Sequence, residues 1–140
     1  MRFLFNVVAA AACIFSIGGA ANAGRLGYEC QVKESGGIGY VPEVIFIGVE
    51  EGSKEIVVSD PVILYYNDGQ PLRGRIKTDN AKRTTFAWDL KFKNRANQTG
   101  TIQYRATYIK ASGDLNVSAL PLGYADTFRG KGKCEIKPIK

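Results

Sequence analysis

The chain has 140 residues, 11% of them aromatic, a net charge of +6, three cysteines and no histidine. Without histidine there is no imidazole for a catalytic triad, an acid–base pair or a histidine-ligated zinc. That length suits one domain with one core, and the modest positive charge permits attraction to an anionic surface without demanding it.

Residues 1–23 read as a bacterial secretory signal peptide. Met1-Arg2 is a short positive start, residues 3–17 are an apolar run, and Ala21-Asn22-Ala23 is a small-x-small cleavage site. The run is too short for a comfortable membrane span and ends in Gly-Gly-Ala-Ala, so no transmembrane span is expected after cleavage. Cys13 follows three alanines in a loose lipidation box. Ala10 stands where such a box carries leucine, and the apolar run continues past the cysteine, so Cys13 is read as part of the removed segment. Residues 24–140 remain as the folded domain, in the periplasm or secreted.

Along this domain the pattern is that of strands. Residues 26–34 alternate, with Leu26, Tyr28, Cys30 and Val32 on one face. Residues 43–49 are apolar on both faces, which predicts a strand covered on both sides or lying at a sheet edge. A short strand over 55–58 ends at Asp60-Pro61, because proline lacks the amide donor. Residues 62–66 read as a helical turn capped by Ser59 or Asp60, with Pro61 in the first position. Asn67-Asp-Gly69 is a turn, and residues 71–78 follow with Arg73, Arg75 and Lys77 on one side.

Residues 83–93 and 101–109 form the clearest hairpin. Phe86, Trp88, Leu90 and Phe92 share a face of the first strand, and Ile102, Tyr104, Ala106 and Tyr108 share a face of the second. A strand over 115–119 and a closing strand over 127–136 complete the series. In the closing strand Phe128, Gly130, Gly132, Cys134 and Ile136 face inward, and the two glycines leave room for a bulky neighbour such as Trp88 or a tyrosine. Seven or eight strands at roughly ten-residue spacing, without βαβ alternation, predict an all-β, single antiparallel barrel or sandwich.

Cys30 and Cys134 are an even pair in an exported chain and both fall on apolar strand faces, which predicts a disulfide joining the first strand to the last. That requires Cα atoms within roughly 4.4–6.8 Å. No cofactor, metal site or catalytic residue is expected. Glu43, Asp89 and Asp126 are the carboxylates from which a glycosidase-type pair would be drawn, and residue type alone recommends them. The candidate surface for an anionic partner is basic: Arg73, Arg75 and Lys77 with Arg129, Lys131 and Lys133, forming one face if their strands adjoin. Tyr65, Tyr66, Tyr104, Tyr108 and Tyr124 are candidates for core, rim or cavity lining. Export argues against nucleic acid.

Tyr28-Glu-Cys30, the Trp88 strand, Tyr104-Arg-Ala-Thr-Tyr108, and Pro121-Leu-Gly-Tyr124 leading to Gly130-Lys-Gly-Lys-Cys134 resemble a group of small exported proteins of unknown function from Gram-negative bacteria. That resemblance covers most of the domain and implies export but no activity. The Tyr-x-Cys start and late cysteine also resemble the bacterial inhibitors of C-type lysozyme, which are exported eight-stranded barrels. Their inhibitory loop carries Ser-Gly-x-x-Tyr; here Ser35-Gly-Gly-Ile-Gly-Tyr40 is one residue longer and earlier in the chain. The expectation is a non-catalytic exported binding or envelope protein, its partner an anionic envelope component or another exported protein. The alternatives are an inhibitor of a cell-wall hydrolase and a carboxylate-based hydrolase.

Overall fold

The computed structural model describes residues 24–36 and 39–139. The expected signal segment, with Cys13, lies outside the described residues. The described residues form eight strands and one short helix: β1 (Arg25–Ser35), β2 (Val44–Glu50), β3 (Glu55–Ser59), α1 (Pro61–Tyr66), β4 (Leu72–Asp79), β5 (Arg83–Lys93), β6 (Thr99–Ile109), β7 (Asp114–Pro121) and β8 (Phe128–Ile139). Each strand pairs antiparallel with the next, and β8 returns to pair with β1, so the sheet is a closed barrel and not a sandwich. β8 runs to Ile139, beyond the expected end at residue 136, because closure pairs it with β1 all the way down to Arg25.

Most of the period-two residues point where the alternation puts them; Leu26 and Ile136 are instead exposed, at the end of the barrel where β1 begins and β8 finishes. Phe86, Trp88, Cys30, Ile45, Val58 and Leu115 are fully buried. Trp88 stacks on Tyr104 with ring centroids 5.4 Å apart and planes 9° from parallel. Lower in the barrel, Tyr28 meets Phe86 and Tyr108 edge-on, at 5.2 and 5.3 Å. An eight-stranded barrel has an interior just wide enough for side chains, and these aromatics fill it.

One end carries the longer connections. Helix α1 lies there with Ile63 fully buried, and Asp60 is its N-cap, accepting a 2.8 Å hydrogen bond from the Ile63 amide. Asp60, rather than the alternative Ser59, fills this role. At the same end, the Glu34 carboxylate accepts from the amides of Gly39, Tyr40 and Val41, Tyr40 stacks on Phe128, and the Tyr104 hydroxyl donates to the Tyr40 carbonyl at 2.7 Å.

The disulfide joins Cys30 to Cys134, directly opposite one another on β1 and β8. Their Cα atoms are 4.0 Å apart, closer than expected. The Cys134 amide donates to Gly113 O and not to Cys30, so the two cysteines form a non-hydrogen-bonded pair, the position at which antiparallel strands approach most closely.

The closing glycines serve a different purpose from the expected one. A Cβ on Gly130 would press on Val41 and Val32, and one on Gly132 would run into the Gln31 carbonyl. Gly130 thus admits a loop valine, and Gly132 lets β8 approach β1. Room for a large ring comes instead from Gly100, which faces Phe92 across the hairpin.

Candidate functional site

With the interior filled by side chains, the open surface lies on the outer wall and the loops. The outer wall is not uniform. On β1, Gly27 points outward; its partner across the ladder is Gly48 of β2, and Gly48 in turn faces Val57 of β3. Val57 faces Arg73 of β4, and on the other side Gly27 faces Lys137 of β8. One row across five strands therefore reads Lys137, Gly27, Gly48, Val57, Arg73. Two adjacent positions in that row lack side chains, and the wall sinks there into a groove of about 710 Å³.

Apolar side chains stand along it: Phe46, Val57 and Ile139 are 47%, 48% and 45% exposed. Ile139 leans over the glycines, its Cδ1 3.0 Å from where a Gly27 Cβ would sit and 3.8 Å from one on Gly48. The rim is charged. Arg25 Nε pairs with Glu50 at 3.3 Å, and Lys137 reaches Glu29 at 3.7 Å and Glu135 at 3.4 Å. Arg73 makes no ion pair among the described residues. The apolar character of residues 43–49 on both faces is thus explained differently from the expectation: Ile45 and Ile47 face the core, while Phe46 faces an uncovered groove, and closure leaves β2 no free edge.

The six predicted basic residues do not form one face. Arg73, Arg75 and Lys77 point outward from β4, and Arg129, Lys131 and Lys133 from β8, but β4 and β8 are four strands apart in either direction around the barrel. Only Arg73 among them lines the groove. On the β8 side, Lys131 faces Lys33 across the ladder, and Lys133 pairs with Asp114 at 3.4 Å.

The predicted carboxylates are exposed on separate elements: Glu43 before β2, Asp89 on the outer face of β5, Asp126 between β7 and β8. None of them lines this groove or the smaller depression beside Tyr66 and Phe92. Of the tyrosines, Tyr104 and Tyr108 are core residues, while Tyr65, Tyr66 and Tyr124 are exposed and line no internal cavity among the described residues. Among the described residues no three His, Cys, Asp or Glu side chains cluster in a way that would hold a metal ion. No helix among them is long and apolar enough to cross a membrane.

Next to the groove but facing inward, Asp60 follows the groove-lining Ser59 and is 2% exposed. Burial pushes its carboxyl pKa up, against the opposing pull of the Ile63 and Val62 amides. Its Oδ2, and the Trp88 indole Nε1, are buried without a hydrogen-bond partner among the described residues. No protein-family model matches the chain, and no curated protein or solved structure matches it.

Proposed function

We propose that the mature chain is an exported, non-catalytic binding protein of the bacterial periplasm or cell envelope, and that it recognises its ligand on the outside of the barrel. One observation carries this reading: the interior is filled by stacked aromatics while an apolar groove stands open on the outer wall. An exposed apolar patch rimmed by polar groups marks an interaction site. The Cys30–Cys134 bond supports an oxidising compartment, and the pattern of residues 1–23 supports export with Gly24 as the mature N-terminus. The partner expected there is an anionic envelope component or another exported protein.

The test is a titration of the folded protein with a polarity-sensitive dye such as bis-ANS. The native protein is expected to enhance its emission and the Gly48→Leu variant to lose most of that enhancement. A Cβ at Gly48 meets only ordinary contacts at 3.8 Å, so the backbone admits a side chain that projects into the groove, and an unchanged urea midpoint checks that the barrel is intact. No enhancement by the native protein, or equal enhancement by the variant, contradicts the reading.

A second reading, inhibition of a cell-wall hydrolase, draws on the pinned loop at the barrel end. Glu34 gathers three successive amides there, and Tyr40 is anchored to Phe128 and Tyr104. It predicts loss of lytic activity when the protein is added to lysozymes; unchanged lysis at micromolar excess contradicts it.

A further inference from the structure

We infer that the groove takes a single-chain anionic amphiphile, its alkyl chain over Gly27 and Gly48 and its head group on Arg73. This rests on the groove being the recognition surface. Paired glycines on adjacent strands make a trough bordered by the apolar side chains of Phe46 and Ile139, with Val57 standing between the glycines and Arg73. The row from Lys137 to Arg73 spans roughly 19 Å of arc at about 4.8 Å per strand, long enough for an extended chain. A groove of about 710 Å³ is of small-molecule size. Its concavity keeps a flat bilayer off the glycine floor.

Of the three cations lining the groove, Arg25 and Lys137 are engaged by carboxylates at 3.3–3.7 Å, while Arg73 is not. It stands at the end of the apolar row, opposite Val57. The remaining acid of the rim, Glu55, faces Arg75 across the ladder. Arg75 and Lys77 continue the cationic line along β4, so the local field favours an anion at that end. A guanidinium presents planar paired donors that suit a carboxylate or phosphate. An apolar floor ending in one unpaired guanidinium is complementary to an alkyl chain ending in an anion.

Calorimetric titration of the mature protein tests this with decyl phosphate, decyl maltoside and decyltrimethylammonium, each below its micellar concentration, and with inorganic phosphate. Decyl phosphate is expected to bind about tenfold more tightly than decyl maltoside, the gain of one charge-assisted contact. Arg73→Gln, on an exposed side chain, is expected to erase that difference while leaving decyl maltoside unchanged. Gly48→Leu is expected to abolish binding of both, and inorganic phosphate alone to give no heat. Equal affinity for the phosphate and the maltoside, or tighter binding of the ammonium, overturns the head-group assignment and leaves the groove standing. Binding that survives Gly48→Leu, or no binding of any amphiphile, overturns the groove itself. Sedimentation with phosphatidylglycerol vesicles without binding of soluble decyl phosphate overturns the inference in favour of a membrane surface. A dimer that Gly48→Leu dissociates overturns it in favour of a second copy of the chain.

Discussion

Asp60 stands where the helix cap, the core and the groove wall meet. Its Oδ1 satisfies the Ile63 amide, while Oδ2 is buried without a partner among the described residues, so burial raises its pKa. A raised folded-state pKa means that the folded protein holds the proton more tightly than the unfolded chain. Its stabilising contribution is therefore full below the ordinary carboxylate range and is lost as pH rises from about 4 through the raised folded value. Denaturant titrations across that range are expected to show Asp60→Asn losing less stability with rising pH than the native protein; parallel pH profiles contradict this. The same carboxyl adds to the upward shift of the Tyr104 phenol, whose first cause is burial. Trp88, stacked on Tyr104 and fully buried, is the largest such side chain. Trp88→Ala is expected to cost about 3–5 kcal/mol in urea denaturation. A cost under about 1 kcal/mol would mean that the ring is not a packed part of the core.

At the scale of elements, the seam between β1 and β8 decides closure. Gly132 lets the β8 backbone come against Gln31, and the disulfide sits one ladder step pair further along. Gly132→Ala forces a Cβ into the Gln31 carbonyl and is expected to destabilise by about 1–3 kcal/mol, read as a lowered urea midpoint. Replacing Cys30 and Cys134 together by alanine is expected to cost about 2–4 kcal/mol, and thiol titration of the unreduced native protein is expected to find neither cysteine reactive. Two titratable thiols without reductant contradict the bond. The central hairpin is legible because alternation assigns faces, and Phe86, Trp88 and Tyr104 point where period two puts them; the seam is legible from Cys30 and Cys134, an even cysteine pair on the apolar faces of the first and last strands. Helix α1 was legible from Asp60-Pro61, a cap followed by a residue suited to the first helical position. What alternation cannot assign is which strands adjoin. Arg75 and Arg129 each face outward as read, yet they lie on opposite walls. An inward glycine at position 130 suggests space for a ring, but the neighbour it accommodates is Val41, from a loop whose path no strand pattern specifies.

At the scale of the molecule, the described residues form a closed barrel whose interior is occupied by its own side chains and whose outer wall is divided. β4 carries the line of Arg73, Arg75 and Lys77, β8 carries Arg129, Lys131 and Lys133, and between them across β1–β3 runs the groove. The groove could not be read from the sequence, since Gly27 and Gly48 become neighbours only through the β1–β2 register, and Ile139 reaches them only because the barrel closes. The outward apolar Phe46 was its one sequence trace, visible as a strand apolar on both faces. Recognition outside a filled barrel is tested most directly by amide chemical-shift mapping of the labelled protein against decyl phosphate. The largest shifts are expected at Gly27, Gly48, Val57 and Arg73, with the Trp88 indole N–H unmoved. Shifts centred on Trp88 and the core, or on the β8 wall around Lys131, would contradict it.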